Sequence, residues 1–258
     1  MIRIVKGVSP RKLTTDGATR ARAHQDEYDA DGAGFRAGTS KFSFPRSVYA
    51  HKTVRDALER IQHGKCCYCE AKPEKPYAHL HVDHWRPKSC TRQDRAAEES
   101  WPGYYWLAYT WDNLLLGCHF CNSANKGDLF PLVDPAERAL DHHTDIAGER
   151  PLLLKPDGPE DPAAHIGYHE EVPVGLTPEG RATIAVLGLD RTEHAPRLDL
   201  LNRLKRSRDV VHRYHGDTSP AGLEFVARAR GVLERAVRPD APFSAMATAY
   251  LSRNPLPP

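Results

Sequence analysis

Apolar positions recur along this chain with two periods, one helical and one strand-like. From Thr177 onward the period is helical: Thr177-Pro178-Glu179 reads as an N-cap followed by proline at the first helical position, with Ile184 and Leu187 on one face. A second helix is predicted from about Glu193 to Arg213, with an apolar row at Leu198, Leu201, Leu204 and Val211. Its outer face carries Arg203, Lys205, Arg206, Arg208 and Arg213. That face reads as solvated, or as a docking surface for a partner or substrate backbone, a reading that Asp199 and Asp209 weaken. Thr218-Ser219-Pro220 opens a third helix, and Pro242–Arg253 a fourth. Upstream, residues 49–64 read as a helix with Val54, Leu58 and Ile61 in register and Gly64 ending it, which delivers the chain into Cys66.

The middle of the chain behaves differently. In 79–90, HLHVDHWRPKSC, apolar Leu80, Val82 and Trp85 interleave with polar residues in a short strand that Pro87 ends. Asn113 precedes an apolar run, Leu114–Leu116, that passes through Gly117 into a Cys-x-x-Cys pair. Behind that pair Asn122, Asn125 and Lys126 follow at helical spacing, with Gly127 as the cap. The predicted order is strand, long loop, strand, short helix. Residues 101–112 hold three of the four tryptophans and three tyrosines, and read as a local hydrophobic core rather than a stacking surface for bases. Residues 134–176, with six prolines, read as a loop-rich connector with short strands, and 1–48 show only weak periodicity.

Composition narrows the class. Of 258 residues 27% are charged and 40% hydrophobic, the balance of a folded globular protein. Lys and Arg number 36 against 34 Asp and Glu, so any phosphate-attracting field is local. Residues 1–65 carry 13 basic and 7 acidic side chains, consistent with such a field. No run approaches 18 apolar residues and the first residues do not read as a signal peptide, so a cytoplasmic protein without a membrane span is expected.

In that reducing compartment clustered thiols favour metal. Cys66/Cys69 and Cys118/Cys121 form two Cys-x-x-Cys turns, the donor set of a tetrahedral zinc site. The 48 residues between them exceed the spacing of a compact zinc ribbon, so something else is built between the knuckles. Two unrelated buried pairs are the bland alternative. Cys67 and Cys90 fall outside the pattern and read as ordinary thiols, and His142-His143 as a loop pair.

Together these pieces resemble the HNH endonuclease motif with a four-cysteine zinc clamp: Cys66 and Cys69, then Asp83-His84-Trp85-Arg86-Pro87-Lys88-Ser89, then Asn113-Leu114, then Cys118 through Gly127. The opening MIRIVKGVSPRKLT and the later PLLLKPDGPEDPAAHI extend the likeness to the PtuB-like HNH nucleases of retron-associated and Septu-type anti-phage systems. The likeness is strong over 60–135, fair over 1–14 and 150–205, and vague elsewhere. Where the family's last motif residue is often His, this chain has Asn122.

The resemblance implies an α+β, mostly helical protein with a zinc-braced ββα-metal module at 60–135. Around the module lie an N-terminal basic segment and helix (1–59), a connector (136–176) and a helical C-terminal region (177–258). It implies metal-dependent hydrolysis of phosphodiesters, most simply in DNA, with His84 as general base. Asp83 and Asn122 would hold Mg2+ or Mn2+ through hard oxygens, with Asn125 an open alternative. Asn113 would hold the loop or the imidazole, and Arg86, Lys88 and Lys126 would touch phosphates unless they are solvated surface charges. His79 and His81 lie near enough to join them. The structural zinc would sit on Cys66, Cys69, Cys118 and Cys121. The implied partner is a PtuA-like ABC-type ATPase, since the chain carries no Walker motif of its own. Two rivals stay open: a stand-alone restriction-like HNH nuclease and a non-catalytic zinc-finger nucleic-acid binder.

Overall fold

A computed structural model describes residues 1–73, 80–191 and 195–258. The fold is α+β, about half helical, with two small antiparallel sheets. Two helices open it, α1 (Ala18–Arg36, entered through wide turns at Leu13–Gly17) and α2 (Arg46–Tyr49). Next is α3 (Lys52–Ile61), whose buried Val54 and Leu58 pack toward the first sheet. The predicted 49–64 helix is thus two pieces, broken at Ala50 and His51, where the His51 side chain caps α3 by accepting from the Thr53 amide. The long α1 had no expectation behind it. It buries only His24, Tyr28 and Phe35, too sparse a set to print an apolar stripe on the sequence.

The first sheet pairs β1 (Leu80–His84) with β2 (Leu114–Cys118), with Leu80 opposite Cys118 and His84 opposite Leu114. Beyond β2 comes α4 (Phe120–Lys126), a short helix of widened turns ended by Gly127 in a positive-φ conformation. The strand–strand–helix order matches the expectation. The aromatic segment 101–112 supplies core, since Tyr104, Tyr105, Tyr109 and Trp111 are buried. The connector is built of short turns that lead to a hairpin of β3 (Ile166–His169) and β4 (Val172–Gly175).

Four helices close the chain. In α5 (Pro178–Leu187) the Thr177 hydroxyl accepts from the Gly180 amide and Gly188 ends the helix with φ +57°, as its Thr-Pro start promised. The side-chain amide of Asn125 packs against Gly188, leaving no room there for a Cβ. Helix α6 (Ala195–Tyr214) packs on α7 (Pro220–Ala236), and α8 (Ser244–Arg253) lies against β3. Leu201, Leu204 and Val211 are buried in α6 as expected, but Leu198 is exposed, because the inward face of the first turn is taken by Arg197, in line with Leu200 and Leu201. The expected start of this helix, Glu193, and also His79 lie outside the described residues. One apolar core runs from Met1 through Tyr68, Leu115 and Leu187 to Tyr250, joining all four sequence segments. Among the described residues no helix is long and apolar enough to cross a membrane.

Candidate functional site

The two Cys-x-x-Cys turns meet. The sulfurs of Cys66, Cys69, Cys118 and Cys121 all lie within 4.8 Å of one another. A tetrahedral zinc–thiolate site with bonds of about 2.3 Å needs sulfurs about 3.8 Å apart, and Cys69 and Cys118 stand at 3.8 Å. The Cys118 amide donates to the Cys66 sulfur at 3.3 Å and Arg191 reaches the Cys121 sulfur at 4.0 Å, so the cluster has donors for thiolate charge. Burial opposes ionisation of Cys66, yet hydrogen bonds from Cys118, Cys121 and Cys67 outweigh it and bring its thiol down to about 5. This donor set fits zinc. Cys67 stays outside the cluster, with its thiol pushed up by burial, and Cys90 donates instead to Asp128. His142 and His143 sit on a loop, with ring nitrogens 3.6 and 2.8 Å from the carboxylate of Asp29.

Beside the cluster lies a polar cleft of about 320 Å³, lined among others by Arg46, Tyr49, His81, Asp83, His84, Lys88, Ser89 and Asn122. Asp83 and His84 are the last two residues of β1, and both reach it. Asp83 is almost fully buried, with one oxygen accepting from the Tyr68 hydroxyl at 2.5 Å and the other paired with Lys126 at 3.0 Å. His84 donates through Nε2 to the Ala108 carbonyl at 2.9 Å, which fixes the tautomer and leaves the Nδ1 lone pair free. Nδ1 has no partner among the described residues. Burial, reinforced by nearby Lys88 and Lys126, holds this imidazole well below its ordinary pKa, so it is neutral at pH 7.

Asn113, at the entrance to β2, clamps the segment after His84. Its Oδ1 accepts from the Arg86 amide at 2.8 Å, and its Nδ2 donates to the carbonyls of Arg86 (3.0 Å) and Leu107 (3.2 Å). It therefore holds the loop, and the imidazole only through the chain. Of the two asparagines left open, Asn122 lines the cleft with its amide uncommitted among the described residues, while Asn125 donates to the Phe120 carbonyl and packs on Gly188. Gly117 makes this possible: a Cβ there would sit 3.1 Å from that of Asn122 and 3.5 Å from the Tyr68 ring.

The three basic residues expected at phosphates separate. Lys88 lies half-buried in the cleft, its ammonium 5.4 Å from the ring centroids of both Phe44 and Tyr49. Lys126 is not available to a phosphate, because it is buried under β1 and donates to Asp83 and, at 2.7 Å, to the His84 carbonyl. Arg86 is not available either. It is buried against Glu149 and enclosed by the rings of Trp85, Tyr104 and Phe130 at 5.0–5.2 Å. Reasoning from the motif missed Arg46 and Tyr68. Arg46 opens α2, lines the cleft and makes no ion pair among the described residues, and nothing in its local sequence marks it. Tyr68 carries a faint signal, as the residue between cysteines in the first knuckle.

A protein of Bacillus mycoides (strain KBAB4) named Septu protein PtuB is 32% identical over 176 residues, covering 64% of this chain and 59% of that protein. The chain is similar to Septu protein PtuB. A second protein of that name, from Bacillus thuringiensis, is 25% identical over 100 residues, 38% of this chain and 34% of its own length. The chain thus spans less than two thirds of the length of either relative. No protein-family model matches it, and neither does any solved structure.

Proposed function

We propose that this chain is a metal-dependent HNH-type endonuclease, acting most simply on DNA, and that it is the nuclease of a Septu-type anti-phage system partnered with an ABC-type ATPase. The observation that carries the enzymatic reading is one cleft containing a carboxylate, an uncommitted amide and an imidazole whose only free nitrogen is unprotonated. The similarity to the two Septu PtuB proteins supports the defence role and the partner.

The donors suit a hard divalent cation. Among the described residues each oxygen of Asp83 has one partner and so keeps a lone pair, and Asn122 adds an amide oxygen, the sparse oxygen set that magnesium takes together with its own waters. When bound, that cation would stabilise charge on the phosphate and on the leaving oxygen. His84 takes the proton of the attacking water at Nδ1, and the Ala108 carbonyl then steadies the imidazolium through Nε2–H. Lys88 and Arg46 neutralise non-bridging phosphate oxygens at the cleft mouth. Asn113 keeps the loop that carries Lys88 in register with β1.

The test is cleavage of supercoiled plasmid with magnesium by the parent and by His84→Ala. Loss of a positioned general base is expected to slow cutting by about 100- to 10,000-fold, with the zinc content of the variant unchanged. Equal cutting by both proteins would remove His84 from its role. Duplex binding by the parent without any cutting would leave a zinc-braced binder in its place.

A further inference from the structure

We propose that the zinc cluster and the cation site at Asp83 are thermodynamically coupled, with Tyr68 as the positioning residue that links them. The inference rests on the reading of Asp83 as a cation ligand.

Three groups of the cation site, those of Tyr68, Lys126 and Asn122, hang from a zinc knuckle. Tyr68 lies between Cys67 and Cys69, fully buried, and its hydroxyl holds one oxygen of Asp83 at 2.5 Å. Lys126 ends the helix that carries Cys121, and it holds the other oxygen at 3.0 Å and the His84 carbonyl at 2.7 Å. Asn122 directly follows Cys121 in the chain. Asp83 itself sits on β1, which contributes no cysteine, and its two carboxylate oxygens are held, among the described residues, by partners that the knuckles deliver. Zinc draws the two knuckles together, and with them the hydroxyl and the ammonium that hold the Asp83 oxygens and the Asn122 amide that lines the same cleft. An occupied cation site in turn favours the arrangement in which both knuckles are closed. By linkage the two effects are one quantity: the factor by which zinc tightens the cation is the factor by which the cation tightens zinc.

The experiment uses the full zinc-loaded chain without nucleic acid. Free Mn2+ is followed by electron paramagnetic resonance during titration of the parent, Tyr68→Phe and Asp83→Asn. The expected result is Mn2+ binding by the parent, its loss in Asp83→Asn, and binding weakened by about 10-fold in Tyr68→Phe at full zinc content, the scale of one hydrogen bond to a charged group. In a second measurement, zinc release to a chromogenic chelator is timed with and without saturating Mg2+. Mg2+ is expected to slow release from the parent by about 5-fold or more, and to protect Tyr68→Phe less. Parent-like Mn2+ affinity in Tyr68→Phe, or zinc release from the parent that ignores Mg2+, overturns the coupling and leaves the nuclease reading standing wherever Asp83→Asn has lost Mn2+. A parent with no Asp83-dependent Mn2+ binding overturns both.

Discussion

The four-cysteine cluster and the cleft are built from the same short elements, yet they end in opposite conditions. In the cluster the thiol sulfurs converge on one point and are supported from behind by an amide and a guanidinium. It is a closed site. In the cleft capacity is left over among the described residues: His84 is pinned at Nε2 and keeps Nδ1, each oxygen of Asp83 has one partner and keeps a lone pair, and the amide of Asn122 is uncommitted. What separates the two regions is residual valence, since burial alone does not: Asp83 and His84 are about as buried as the cysteines. Predictions that sharpen the comparison follow from what each region loses when one atom is removed.

The largest effect belongs to the cluster. Cys121→Ser leaves three thiolates and an exchangeable fourth position, and structural zinc contributes on the order of 10 kcal/mol or more to folding at neutral pH. The expected outcome is loss of zinc by metal analysis together with loss of the cooperative thermal transition of the strand–strand–helix unit. Retention of one tightly held zinc per chain in that variant would remove the cluster from its structural role.

A smaller contrast separates two basic residues that lie two apart in sequence. Arg86→Met leaves the Glu149 carboxylate buried without its guanidinium, and breaking a buried pair costs about 3–5 kcal/mol. Thermal unfolding reads that loss directly. Lys88→Met fills the same half-buried space without stranding a charge, so its stability should change by less than about 1 kcal/mol. Instead, KM for nucleic acid should rise by roughly 10-fold, the scale of one charge-assisted contact to phosphate. Equal effects of the two substitutions on stability would show that their different surroundings do not matter.

That pair also marks how far the sequence could be read. The strand–strand–helix order, the capped α5 and the pairing of the two cysteine turns were legible from local spacing and turn chemistry, and the meeting of Asp83, His84 and Asn122 at one cleft from the resemblance to the HNH motif. The fate of individual charges was not. Arg86, Lys88 and Lys126 look alike in a string of letters, and only the tertiary positions of Glu149, the aromatic rings and Asp83 decide which is buried as a strut. Arg46 escaped for the complementary reason: it reaches the cleft from a one-turn helix with no motif of its own. Helix α1 escaped because its contacts are aromatic and few.

The finest prediction concerns the buried imidazole of His84 in the cleft. In the proposed mechanism His84 accepts a proton only when neutral, so cleavage is expected to rise with pH as the imidazole deprotonates. An ordinary histidine would place that rise near pH 6.5. Burial of the ring disfavours its cationic form, Lys88 and Lys126 push the same way, and the Ala108 carbonyl, which favours the cation, opposes them only in part. The ascending limb of the single-turnover pH–rate profile should therefore fall below about pH 6.5, with a plateau through neutrality. The same depression makes the unfolded chain bind this proton first as pH falls. The stability that His84 contributes is thus full above about pH 6.5 and is lost as pH drops from there through the folded-state value. Lys88→Met removes one neighbouring cation and leaves the burial in place, so the limb should move upward but stay short of the ordinary position. An ascending limb at or above the ordinary histidine value in the parent would mean that the group which titrates during cleavage is not the buried imidazole of β1.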